Sequence, residues 1–348
     1  MSTVVRCRLT YADEGGNGPR SVVVKLPSTD RKSARMNRRH SLYRREYIYY
    51  SRLASASPIR GAELLYGDFR EPDQRFVLVM EDLGEETTVD QVKGITVAET
   101  RSAIRAIARL HAHYWNEVDG PSRSGLPDDG DPKMRGLMQI AYLVYLPRAM
   151  KNFPHLFPDR TRRLAETFGT RLADYVADVA AGPRTFVHGD FRAANMFFGR
   201  RKTEGWDFAV VDWQICGIGS GLYDVACLLC SSLPTEARRQ VEDEALREYH
   251  EIVCSHGVQG FSFEDCWRLY RQHVLGRLLI MVFVGGGLNL AAERSQQAFE
   301  TSARRSIAAI EDLEADEFLP ARRSRFSRAN MFSTLSGGAY RAYRLLRR

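Results

Sequence analysis

The stretch TFVHGDFRAANMFF at residues 185–198 constrains the fold of this 348-residue chain more than any other. A short β-forming run delivers His188, Gly189 and Asp190, and Asn195 follows five residues after the aspartate, ahead of a second apolar run. A further β-forming run, AVVD at 209–212, ends on Asp212, 22 residues beyond Asp190. Taken singly, an aspartate or asparagine at a strand end is a turn residue whose side chain bonds nearby backbone. Three in order, each beside a β run, make a different pattern: an acid, an amide and a second acid on neighbouring loops. Phosphoryl transfer calls for such a set, because one carboxylate orients the attacking hydroxyl and accepts its proton. An amide oxygen and a second carboxylate suit Mg²⁺, which prefers hard oxygen ligands and needs few from the protein when phosphates supply the rest.

The rest of the chain reads as two parts flanking a narrow connector, as its length leads one to expect. Residues 4–11 (VVRCRLTY) alternate as a half-buried strand, DEGGNGP at 13–19 is a turn cluster, and 21–26 (SVVVKL) is the second strand of a hairpin. Residues 31–53 read as helix, and 76–80 (FVLVM) as a buried strand followed by the acidic step EDLG at 81–84. Helical spacing then dominates at 97–115, about 134–150, 160–181 and from 222 to about 315. A loop at 121–132 and the β runs at 185–188 and 209–212 interrupt it. These boundaries give a β-rich N-terminal lobe at 1–82, a mostly helical lobe at 83–320 and a tail at 321–348. No internal repeat or low-complexity tract is present.

Composition excludes several classes. Hydrophobic content of 44% and charged content of 27% are those of a globular protein. The net charge of +7 does not point to nucleic acid, because residues 321–348 hold eight arginines and no acid, which leaves the body near neutral. The tail is an appendage whose GAYRAYRLLRR end could touch an anionic surface. Six scattered cysteines and a start without a signal core lead to a reducing, cytoplasmic setting. The apolar run at 278–292 is too short and glycine-broken for a membrane span. Cys227 and Cys230 have C-x-x-C spacing but sit in an apolar helical run without a second pair, and read as core.

With its HisGlyAsp-x4-Asn run followed by AspTrpGln, the chain resembles the aminoglycoside phosphotransferase and choline kinase superfamily. The runs VLVMEDLG (77–84), ARLHAHYW (108–115) and VVDWQICGIGSGLYDVACLL (210–229) are closest to its ecdysteroid kinase-like branch. The resemblance implies an α+β, bilobal protein-kinase-like fold and a small-molecule kinase that uses ATP or GTP with Mg²⁺. It implies Asp190 as catalytic base, Asn195 and Asp212 as metal ligands, and Asp224 as a structural acid. His188 is expected to support its loop, and His111 and His113 to pack or cap.

Lys25 ends a valine-rich strand that reads as buried on both faces, where an unpaired ammonium would be costly. It is therefore expected to reach nucleotide phosphates, with Glu46 as its partner and Glu63 as the spare candidate. The backbone of Glu81, Asp82 and Leu83 would meet the adenine edge. Kinase-like folds place a strand and a glycine- or serine-bearing loop before the strand that begins here at Val4, and only MST precedes it. Ser2 and Thr3 read as a remnant of that loop, and the glycines at 15–18 lie in the wrong turn to replace it. A catalytically impaired kinase-fold binding module is the alternative this leaves open.

The short interval between Asp212 and Asp224, no Ala-Pro-Glu, and Gly189 rather than arginine before Asp190 argue for a small-molecule hydroxyl substrate over a protein. The acceptor pocket is expected from helices at 134–181 and 235–300. Tyr142, Tyr145, Phe153, Tyr249, Trp267 and Tyr270 lie there at spacings that also suit core. A polycationic acceptor would want acids, for which DDGD at 128–131 is available, although it reads as a solvated loop.

Overall fold

A computed structural model describes residues 2–12, 18–71, 73–84, 89–117, 119–199, 207–288, 290 and 292–321. The arginine-rich tail beyond Ala321 and most of the glycine cluster at 15–18 lie outside the described residues. The chain begins with β1 (Thr3–Arg8) and β2 (Ser21–Leu26), continues through helices α1 (Arg31–Arg39) and α2 (Leu42–Ile48), and returns to the sheet with β3 (Leu64–Arg70) and β4 (Arg75–Glu81). The sheet is antiparallel in the order β1-β2-β4-β3. β2 is thus an inner strand, with Lys25 opposite Val4 on one side and Leu78 on the other.

Three details differ from expectation. β1 is an edge strand with Val4 60% exposed, rather than half-buried. β2 is not buried along its length: Val22 and Lys25 are buried, while Val23 and Val24 are half-covered. The helix expected over 31–53 is broken at Ser41, which takes a left-handed conformation (φ 52°), and its last turn widens into a π-helical turn at Tyr49–Leu53. The pattern of β3, LLYGDFR, does not signal a strand, because it carries a glycine and an aspartate, both poor strand formers.

The larger part is helical. α3 (Val97–His113) starts at a capping box in which Thr96 and Glu99 satisfy each other's amides. α4 (Pro132–Asn152) and α5 (Asp159–Ala180) follow, capped for α4 by Asp131. Next come four three-residue strands: β5 (Thr185–Val187), β6 (Met196–Phe198), β7 (Phe208–Val210) and β8 (Gly217–Gly219). β5 pairs with β8 and β6 with β7, both antiparallel. The chain closes with α6 (Leu222–Ser232), α7 (Thr235–Ser255), α8 (Phe263–Gly287) and α9 (Glu293–Asp312). Among the described residues no helix is long and apolar enough to cross a membrane.

The DDGD segment is a structured crossing and not a solvated loop. Asp128 bridges to Ile218 of β8 and pairs with Arg184, the Asp129 amide donates to the Ile218 carbonyl at 3.2 Å, and Asp131 caps α4. Of the six aromatics considered for the pocket, Tyr142, Phe153, Tyr249 and Tyr270 are buried core. Cys227 and Cys230 are buried as well, in α6. An aromatic stack fixes the smaller part against the larger: Tyr49 lies flat on Trp213 with ring centroids 3.6 Å apart, and Trp213 in turn faces Phe186 at 5.7 Å. Tyr49 stands one turn beyond Glu46, and Trp213 directly follows Asp212, so the stack holds those two acids in register.

Candidate active site

β5 delivers the loop His188-Gly189-Asp190, and a buried carboxylate pins it. Asp224, in the first turn of α6, accepts the backbone amides of His188 at 2.7 Å and Gly189 at 2.8 Å. Two donors at a helix N-terminus suit a buried anion. His111 completes the clamp, with Nε2 3.3 Å from Asp224 and Nδ1 2.9 Å from the Tyr249 hydroxyl. Gly189 takes φ +87°, and a Cβ there would come within 2.3 Å of the Ile215 carbonyl, so the turn requires glycine. His188 supports the loop: its Nδ1 accepts from the Asp190 amide at 3.1 Å and its Nε2 donates to the Val211 carbonyl at 3.1 Å. Burial holds its imidazole below the usual range, in keeping with a neutral ring that donates from one nitrogen and accepts at the other.

The Asp190 carboxylate is partly open to solvent, with its side chain 27% exposed. Arg192 Nε donates to both of its oxygens at 2.9 Å, and Asn195 Nδ2 donates to Oδ2 at 3.0 Å and to the Asp190 carbonyl at 2.9 Å. An arginine therefore does reach Asp190, from two residues after it rather than before it. The sequence carried the signal in FRAAN, where a cation sits at loop spacing from an acid. Asp190 is the first cause of a guanidinium pKa raised above the ordinary arginine value.

The β6–β7 pairing brings the segments that carry Asn195 and Asp212 side by side, where the Val211 amide donates to the Asn195 carbonyl at 2.9 Å. Asp212 adopts φ 68°, ψ 63°, a left-handed conformation rare outside glycine, which ends β7 and turns its side chain toward Lys25. Lys25 Nζ lies 2.6 Å from Glu46 Oε1 and 2.9 Å from Asp212 Oδ1, with Lys25 6% and Glu46 0% exposed. Burial opposes the lysine's charge, but Glu46 and Asp212 outweigh it and raise its pKa. Desolvation pushes the Asp212 carboxyl up, but Lys25 outweighs it and holds it below the usual carboxylate range. Glu46 feels burial most, which pushes it up against the pull of Lys25. Glu63 is exposed at the sheet edge and is not the partner of Lys25.

The step at 81–84 has its side chains engaged elsewhere. Glu81 pairs with Arg60 at 2.8 Å and accepts the Glu63 amide, while Asp82 accepts Arg6 at 2.5 Å and Ser21 at 2.6 Å. Leu83 packs against the core. The Ser2 hydroxyl accepts a hydrogen bond from Gln214, two residues after Asp212.

The donor set fits a divalent cation. Both Asn195 amide protons are directed at Asp190, which leaves the amide oxygen available, and the Asp212 side chain is 38% exposed with one oxygen on Lys25. Two cations (Lys25, Arg192) and three carboxylates (Glu46, Asp190, Asp212) leave one uncompensated negative charge here. No group of three or more His, Cys, Asp or Glu able to hold a metal occurs among the described residues, and a site completed by phosphate oxygens does not require one.

A sequence model of the ecdysteroid kinase-like family matches residues 1–256. The chain belongs to that family. An uncharacterized kinase-like protein of Caenorhabditis elegans is 24% identical over 217 residues, which cover 60% of this chain and 55% of the relative. The chain thus aligns with about half the length of that relative. Among solved structures, an amicoumacin kinase in complex with AMP-PNP, Ca²⁺ and its ligand superposes with a TM-score of 0.51 at 14% identity, covering 89% of this chain and 86% of that one. A microcompartment-associated aminopropanol kinase gives 0.49 at 16% identity, over 92% and 95%. The family member described here has the α+β, bilobal protein-kinase-like fold.

Proposed function

We propose that this family member transfers the γ-phosphoryl group of ATP or GTP to a hydroxyl of a small, lipophilic or natural-product-like alcohol. The observation that carries the reading is the buried Lys25, held at once by Glu46 from the N-terminal helices and by Asp212 from the loop after β7. A lysine so placed presents its remaining proton toward the cleft where nucleotide phosphates would lie, and Glu46 fixes its direction. The backbone of the Glu81-Asp82-Leu83 step would meet the base edge, while the Glu81 and Asp82 side chains are committed to Arg60, Arg6 and Ser21. Asn195 and Asp212 would hold Mg²⁺, which when bound supplies charge neutralisation for the phosphates.

Asp190 is the general base in this reading. Arg192 and Asn195 fix its carboxylate so that an acceptor hydroxyl meets an oriented lone pair, and Arg192 keeps a positive charge next to the developing phosphoryl charge. Residues 1–82 would form the nucleotide lobe, 83–320 the catalytic and acceptor lobe, and the tail from 321 an appendage. Nucleotide turnover against a panel of small alcohols tests the proposal. Asp190→Asn is expected to lower kcat by roughly 10²–10⁴-fold while nucleotide affinity holds. Equal turnover in the variant and the wild type would reject Asp190 as the base.

A further inference from the structure

Three arginines are fully buried among the described residues, and two of them are paired. Arg238 meets Glu242 and Asp312, and Arg305 donates to the carbonyls of Gln91, Val92 and Ser231. Arg277, on α8, is 5% exposed, yet its Nε and Nη1 have no hydrogen-bond partner. A guanidinium at that depth without a carboxylate or carbonyl is a costly arrangement for a purely structural residue.

Its surroundings lead to the reaction centre. His273, one turn earlier on the same helix face, is 4% exposed, and its Nε2 is also without a partner. The His273 ring meets the edge of Tyr223 at 5.9 Å. Tyr223 immediately precedes Asp224, the acid that holds the His188-Gly189 backbone ahead of Asp190. Cys227 and Tyr223, both neutral because burial raises their pKa values, and the Asp190 carboxylate lie near enough to Arg277 to influence its guanidinium. Burial pushes the His273 imidazole down to about 3, so at physiological pH it is a neutral ring beside a permanent cation.

We propose that Arg277 and His273 form an anion-recognising corner of the acceptor site, so that the alcohol phosphorylated here also carries a carboxylate. The inference rests on the kinase reading for the word acceptor, but the corner itself stands on geometry. A planar guanidinium fork matches a carboxylate with two parallel hydrogen bonds, and a neutral imidazole nitrogen adds a third contact. The same corner disfavours a polycation, whose ammonium groups would face an unneutralised arginine.

The test separates binding from turnover. Aliphatic and aromatic hydroxycarboxylates, together with their primary amides and the matching amino alcohols, are titrated into the full chain by saturation-transfer NMR, which reads affinities in the millimolar range. The wild type is expected to favour the carboxylates over the amides by about tenfold or more, as the loss of a charge-assisted pair implies. Arg277→Met should erase that preference without lowering Tm, because the arginine it replaces has no partner to lose. Arg277→Lys, which keeps the charge and loses the fork, should retain only part of it. Absence of carboxylate preference in the wild type overturns the proposal, as does a preference that survives in Arg277→Met. Nucleotide turnover is measured on the same panel: carboxylate preference without turnover leaves the corner standing and removes the kinase reading, and turnover confined to amides and amino alcohols does the reverse.

Discussion

Removing the amine of Lys25 should make the stability of this protein fall more steeply with rising pH than that of the wild type. Lys25 Nζ is 2.6 Å from Glu46 Oε1, Glu46 is 0% exposed, and its other oxygen makes no hydrogen bond among the described residues. At an effective dielectric constant of about 20, a contact that short is worth roughly 6 kcal/mol of attraction, most of it offset by desolvation. In Lys25→Met the carboxylate loses that partner, and stranding a buried charge costs about 3–5 kcal/mol. Glu46 can avoid the cost by taking up a proton. Its folded-state pKa then lies further above its unfolded value, so the variant keeps its stability at low pH and loses it as pH rises above the unfolded carboxyl range. In the wild type Lys25 pulls the Glu46 pKa back down, so the loss across the carboxyl range is smaller, and the raised pKa of Lys25 means that its own contribution fades only in strongly alkaline solution. Urea unfolding followed by circular dichroism at pH 5 and pH 8 reads the difference. The deficit of Lys25→Met should be about 3 kcal/mol larger at the higher pH, and Lys25→Met/Glu46→Gln should recover most of it. An equal deficit at both pH values, or a double variant no better than the single, would refute the claim that Glu46 depends on Lys25.

Two further outcomes follow from the geometry. Burial, then the neighbouring Asp128, raises the Asp129 carboxyl to about 6, so stability is lost as pH climbs from the ordinary carboxyl range to about 6 and the cost stays in place above it. Asp129→Asn should therefore stabilise the protein by about 1–3 kcal/mol at pH 8 and leave it unchanged near pH 4, measured by thermal unfolding at both values. Arg192→Met frees both Asp190 oxygens from the guanidinium and should lower kcat by roughly 10-fold or more, with little change in nucleotide KM, in steady-state turnover.

The placement of the candidate residues was legible because it is local: Asp190, Asn195 and Asp212 lie beside short apolar runs, and a strand-to-loop pattern sets their positions without long-range information. Lys25 with Glu46 was legible by a cost argument, since an ammonium in an inner strand must find an acid. The break at Ser41 was hidden, because nothing in RHSLY forbids helix, yet Ser41 takes a left-handed conformation between α1 and α2. The exposure of β1 depends on its place at the edge of the sheet, which alternation does not encode. DDGD reads as solvated from its composition, yet its backbone is used to extend β8. Arg277 was invisible for a plainer reason: a lone arginine in an apolar helix says nothing until its missing partner is seen.

The central claim is that Asp212 and Asn195 bind a divalent ion that in turn holds a nucleotide, while Asp190 acts on the acceptor alone. Calorimetric titration of ATP into the full chain, with and without Mg²⁺, tests it directly. The account predicts that Mg²⁺ strengthens nucleotide binding in the wild type and in Asp190→Asn, and that this gain disappears in Asp212→Asn. Binding that is indifferent to Mg²⁺, or a gain that persists in Asp212→Asn, would contradict it.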